Sequence, residues 1–115
     1  MLKENIFIKI LQKKSPANII YQDNYVTAFR DKNPQAPIHV IIITNILIPT
    51  VNDVKDQHAL MLGHLFLAAS KIAVKEKINK SGYRLIINCN KDGGQEIYHL
   101  HMHLLGGKNL GKLLY

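Results

Sequence analysis

The chain has 115 residues, 47% of them apolar, a formal charge of +7 and a single cysteine, Cys89. A chain of this size closes one core, so one domain over residues 1–115 without an internal disulfide is predicted. No charged-then-apolar leader and no bilayer-length apolar run appears, so a cytoplasmic protein without membrane contact is expected. The positive charge favours anions of every kind. Its lysines are scattered or clustered at Lys13 and Lys14 and at Lys71, Lys75, Lys77 and Lys80, with no aromatics between them, so no specific nucleic-acid partner is expected.

From the N-terminus, Ile6, Phe7, Ile10 and Leu11 recur at helical spacing within Asn5 to Lys13, and Ser15-Pro16 ends that helix. Asn18 to Gln22 and Tyr25 to Arg30 read as two antiparallel strands about an Asp23-Asn24 turn. Asp31 to Pro37 carries two prolines and is predicted as an ordered loop, while the almost wholly apolar Ile38 to Thr44 reads as a central strand. A long helix is predicted from Asp56 to about Ile78, capped by Asn52 or Asp53. Its apolar side carries Leu62, Leu65, Phe66, Ala69, Ile72 and Ala73, and its solvated side carries His64 with Lys71 and Lys75. Tyr83 to Asn90 and Ile97 to Leu105 read as strands joined across Lys91 to Glu96, with Asp92-Gly93-Gly94 as the turn. The sum is an α+β fold with a mostly antiparallel sheet of about five strands, one short N-terminal helix and one long helix.

In the last strand, alternation sends His99, His101 and His103 to one face and Tyr98, Leu100, Met102 and Leu104 to the other. Same-face neighbours on a strand lie roughly 6.5 to 7 Å apart, within reach of one small anionic group. A row of solvated histidines, a metal site and a nucleotidyl-transfer site all use this pattern. The metal reading has imidazole spacing in its favour and lacks a cysteine cluster or a His-Glu-x-x-His helix, so zinc is not favoured. The transfer reading uses an imidazole with an unperturbed pKa near 6.5 as a nucleophile at neutral pH. Backbone N–H groups of Gly93-Gly94 offer a small anion nest. His58 reads as structural or exposed, and Cys89, facing away from Asn88, as a buried thiol.

The run His99-Leu100-His101-Met102-His103-Leu104-Leu105-Gly106-Gly107 resembles the signature of the histidine triad (HIT) superfamily, in its Hint-like nucleoside phosphoramidase branch. Further matches lie at Ile6-Phe7, Phe29-Arg30-Asp31, Pro34 to His39, Gly82 to Asn88 and Asp92 to Gln95, so the resemblance is nearly full-length. It implies a HIT-like fold and a homodimer in which long helices and central strands meet. It implies hydrolysis at the α-phosphate of purine phosphoramidates and aminoacyl-adenylates, with no cofactor required. By the same resemblance His101 is the nucleophile that forms a nucleotidyl-histidine. His99 positions it, and His103 and His39 contact the phosphate or orient the nucleophile. Asp31 binds the ribose hydroxyls; Phe7, Ile10, Phe29 and Ile41 line the purine pocket; Asn88, Gly94, Gln95 and Glu96 flank the phosphate and leaving group. The chain departs from the family at Thr44-Asn45-Ile46-Leu47, where a second upstream histidine is usual. It departs again at Glu96, where relatives often carry serine, and in a tail without tryptophan.

Overall fold

The computed structural model describes residues 5–114. Helix α1 (Ile6–Leu11) starts where the Asn5 side chain accepts the Ile8 N–H at 2.8 Å, satisfying a donor that the first turn leaves open. Strands β1 (Ile19–Gln22) and β2 (Val26–Arg30) form the predicted hairpin, and β3 (Ile38–Thr44) follows the proline loop. The long helix α2 spans Ala59–Lys75. It begins later than its periodicity suggests, because 51–53 and 56–58 are single 3-10 turns. The predicted cap belongs to the first of these turns, where Thr50 and Asp53 bond reciprocally. Strands β4 (Tyr83–Ile86) and β5 (His101–Gly106) are shorter than predicted.

The five strands run in the order β1-β2-β3-β5-β4, every neighbouring pair antiparallel. The last strand therefore inserts between β3 and β4. Ile43 lies opposite His101 and Ile41 opposite His103, which puts these four side chains on one face. The other face carries Val26, Ala28, Val40, Ile42, Met102 and Leu104, packed under Leu65, Ala68, Ala69, Ile72 and Ala73 of α2. Each large aliphatic sealed there contributes about 1.5 to 3 kcal/mol relative to exposure.

The paired glycines after the triad have a packing reason. A Cβ on Gly106 would stand 2.7 Å from Ile78 Cδ1. Gly107 has φ +90 and would meet Pro37 at 2.9 Å, so it disfavours any side chain, while at Gly106 the end of Ile78 would have to move aside.

Two expectations about α2 change. Phe66 is 58% exposed and does not join the core; it borders an outward stripe of Leu60, Leu67 and Val74. His64 is not simply solvated, since its Nδ1 lies 3.0 Å from Asp23 Oδ2 and its ring stacks on Tyr25 at 4.4 Å. Asp23 also accepts the Tyr21 hydroxyl and the N–H groups of Tyr25 and Val26. Burial opposes ionisation there, yet these donors together hold its pKa at about 2. The carboxylate thus ties the β1-β2 turn to the helix.

Candidate active site

Helix α1 is too short to cover the sheet face it lies on. Phe7 and Ile10 close a small apolar cluster with Phe29, Ile41 and Ile43, and beside that cluster a cleft of about 690 Å³ remains. His101 and His103 face it from β5, His39 from β3, and Asp31 from the turn after β2. Phe7, Ile10, Phe29 and Ile41 form its apolar wall, while Asn88, Gly94 and Glu96 reach it from the far side of β5. Sequence reasoning missed Asn33, Gln35 and Ile97 on the same walls, none of which belongs to a motif that names a role.

Two predicted positions differ. His99 keeps the side of His101, since both rings pack edge-on against Phe7 at 5.9 and 5.0 Å, but it lies buried behind the cleft, because the chain reaches β5 through a turn. Its N–H bonds to Ile97 O, the next N–H (Leu100) bonds to Ile48 O, and the strand begins at His101. The His99 ring is fully buried, with Nε2 at 2.8 Å from Thr44 O and Nδ1 without a polar partner among the described residues. Gln95 is buried as well and does not line the cleft. Its amide donates to Pro49 O at 2.8 Å and Ile97 O at 3.1 Å and accepts the Asn90 N–H at 2.9 Å, so it pins the loop that carries Glu96. Of the Gly93-Gly94 pair expected to form an anion nest, the Gly94 N–H is engaged within the turn, bonding to Lys91 O at 3.0 Å. Cys89 is half-buried, less enclosed than its strand alternation predicts.

The hydrogen bonds assign protons. His101 Nδ1 lies 2.6 Å from the His99 carbonyl, which can only accept, so Nδ1 carries the proton and the Nε2 lone pair is free. The Gln35 N–H donates to His39 Nδ1 at 3.0 Å, so the neutral His39 ring carries its proton on Nε2. That Nε2 lies 3.0 Å from His103 Nδ1 and 3.4 Å from Asp31 Oδ2. His103 Nδ1 therefore accepts, and its remaining N–H sits on Nε2. A lone pair on one histidine and a donor on the next, rings 5.1 Å apart, share the cleft.

Both rings are kept neutral. Burial lowers the His101 pKa below its usual value, against the His99 carbonyl and Asp31, which raise it. Burial, then the neighbouring His101 and His39, bring His103 to about 4, with Asp31 opposing. The pairing of an unprotonated nucleophile with a neutral donor is suited to attack on an anionic phosphoryl group.

A model of the HIT domain matches residues 12–110. The chain belongs to the HIT family. A purine nucleoside phosphoramidase of Escherichia coli (strain K12) is 58% identical over 114 residues, covering 99% of this chain and 96% of that protein. A HIT family hydrolase from Legionella pneumophila superposes with a TM-score of 0.91 at 44% identity, covering 94% of this chain and 96% of its own. One from Clostridium thermocellum gives 0.93 at 42% identity, covering 99% and 100%. The five-stranded antiparallel sheet with one short and one long helix is the HIT fold, as the triad resemblance implies.

Proposed function

We propose that this HIT protein is a purine nucleoside phosphoramidase that hydrolyses at the α-phosphate through a nucleotidyl group carried on His101. The observation that carries this reading is the His101 Nδ1–His99 carbonyl bond at 2.6 Å, which leaves Nε2 unprotonated in a nucleotide-sized cleft. His101 Nε2 attacks phosphorus; the P–N bond breaks, its electron pair stays on nitrogen, and that nitrogen takes a proton from solvent water so that a neutral amine departs. Water then attacks phosphorus, the bond to Nε2 breaks, and the nucleoside monophosphate departs. The His103 Nε2–H donates to the non-bridging oxygens, where charge gathers. His39 holds His103 in the donating tautomer, and His99 supplies the carbonyl that orients the nucleophile. Phe7, Ile10, Phe29 and Ile41 take the purine, and Asp31 the ribose. Asn88, Gly94 and Glu96 flank the phosphate and leaving group, while Gln95 acts from behind them as the anchor of their loop. Mass spectrometry of protein quenched during turnover of an adenosine phosphoramidate tests the reading. An adduct of one nucleotidyl group that disappears in His101→Ala supports it, and turnover by that variant overturns it.

One observation favours a metal reading: ligand atoms of Asp31, His39 and His103 lie within 4.8 Å of one another. The donor set does not fit a cation. A metal-bound imidazole normally donates its second N–H to an acceptor, whereas His39 Nδ1 faces the Gln35 N–H, leaving the proton on the nitrogen a cation would need. We therefore read the reaction as free of cofactors, and chelator-treated protein is expected to keep its full rate.

We further read the protein as a homodimer of the cytoplasm without a nucleic-acid partner. The outward stripe on α2, with Leu60 at 60% exposure, Gly63, Leu67 and Val74 at helical spacing, supports a symmetric helix contact. No helix among the described residues is long and apolar enough to cross a membrane. A lone unpaired thiol is in keeping with a reducing compartment. Sedimentation at micromolar concentration is expected to show a dimer, and Leu67→Glu a monomer.

A further inference from the structure

The strand order gives the cleft two different sides. Phe7, Phe29 and Asp31 stand on the β2 side of His101, and Asn88, Gly94 and Glu96 on the β4 side. A nucleoside seated among the aromatic residues sends the third substituent of its phosphorus toward the β4 side. What distinguishes that side is charge. Of the two carboxylates on the walls, Asp31 is engaged by the Asn33 N–H at 2.8 Å and by His39. Glu96 is exposed and makes no ion pair with a described residue. Its main chain is nevertheless held, since Gln95 is bonded at Asn90 and Pro49 and its amide also grips the carbonyl of Ile97. An unneutralised carboxylate carried on this held stretch of chain, on the leaving-group side, attracts positive charge and repels negative charge.

We propose that Glu96 is a specificity-determining residue that selects phosphoramidates whose leaving amine carries a second, protonated amino group. The inference rests on the phosphoramidase reading and adds no chemical step to it. The cationic end of the departing amine lies beside the Glu96 carboxylate while the P–N bond breaks elsewhere.

Two nearly isosteric substrates test it: the adenosine 5′-phosphoramidates of n-butylamine and of 1,3-diaminopropane, which differ by a methyl against an ammonium. At low salt the kcat/KM ratio is expected to favour the ammonium-bearing substrate by about fivefold, as for a partly exposed charge pair, and to shrink as salt rises. In Glu96→Gln the ratio is expected to fall to about one, whatever happens to the absolute rates, because the attractive charge is gone. Equal ratios in wild type and variant overturn the inference, as does a wild-type ratio of one. Calorimetric binding of both compounds to His101→Ala, with and without Glu96→Gln, reads the same preference without turnover. Failure of catalysis with the binding preference intact sinks the phosphoramidase reading alone, and loss of the preference sinks this one.

Discussion

The two faces of the sheet are built from the same strands and end differently. Under the 17-residue α2 the face is dry and closed, with Val26, Val40, Ile42, Met102 and Leu104 all at zero exposure. Under the six-residue α1 it is half-covered, and the uncovered half carries three of the four histidines in question. Alternating residues of one strand serve both, Met102 and Leu104 facing the core and His101 and His103 the cleft. The chemistry stands where the covering helix runs out, and the closed face supplies the stability on which that opening depends.

The comparison breaks most visibly at His101. Replacing it with alanine should reduce phosphoramidate turnover by at least about 10⁴-fold, as for a lost nucleophile, with the melting temperature nearly unchanged. On the closed face Leu65→Ala should do the opposite. Removing a buried leucine costs about 2 to 4 kcal/mol in denaturant unfolding, and kcat at 25 °C should hold. His99→Ala touches both faces of the problem. It removes the bond to Thr44 and loosens the carbonyl that orients His101, so a fall of about ten- to a hundredfold in kcat and about 1 to 2 kcal/mol in stability are expected.

A pH series sharpens the contrast. His101 and His103 bind protons more weakly folded than unfolded, so their contribution to stability is full above the unfolded value of about 6.5 and declines as pH falls below it, for His103 down to about 4. Stability should therefore drop across that window in urea melts, and less in a His103→Gln variant. The smallest effect belongs to the hairpin: Asp23→Asn should cost about 1 kcal/mol at neutral pH, and the loss should vanish as pH drops from near 4 to 2, where wild type protonates.

Much of this was legible in the residues. The alternating His-x-His-x-His run identified the family and placed His101 and His103 correctly on the cleft, because two-residue periodicity holds wherever a strand is regular. It gives His99 the side of His101, where both rings meet Phe7, but not its burial, because His99 lies two residues before the strand, in a turn fastened by Ile48 and Ile97. Nothing local signals that turn; it depends on a bond to a segment 52 residues away. Gln95 failed for a similar reason, since a side-chain amide beside a glycine turn serves main-chain groups as readily as a ligand. The insertion of β5 between β3 and β4 is likewise invisible to periodicity, which finds strands and not their neighbours. Phe66 was assigned to the core because α2 is apolar on two sides and a helical pattern cannot say which side meets the sheet.

The partner that orients His101 is a peptide oxygen, and a peptide oxygen has no ionisation of its own. Hydrolases that aim an imidazole with a carboxylate inherit a second titration and a residue that mutation can delete. Here the aiming group belongs to every amino acid alike, so it survives any exchange of side chain at position 99 that leaves the local chain path intact.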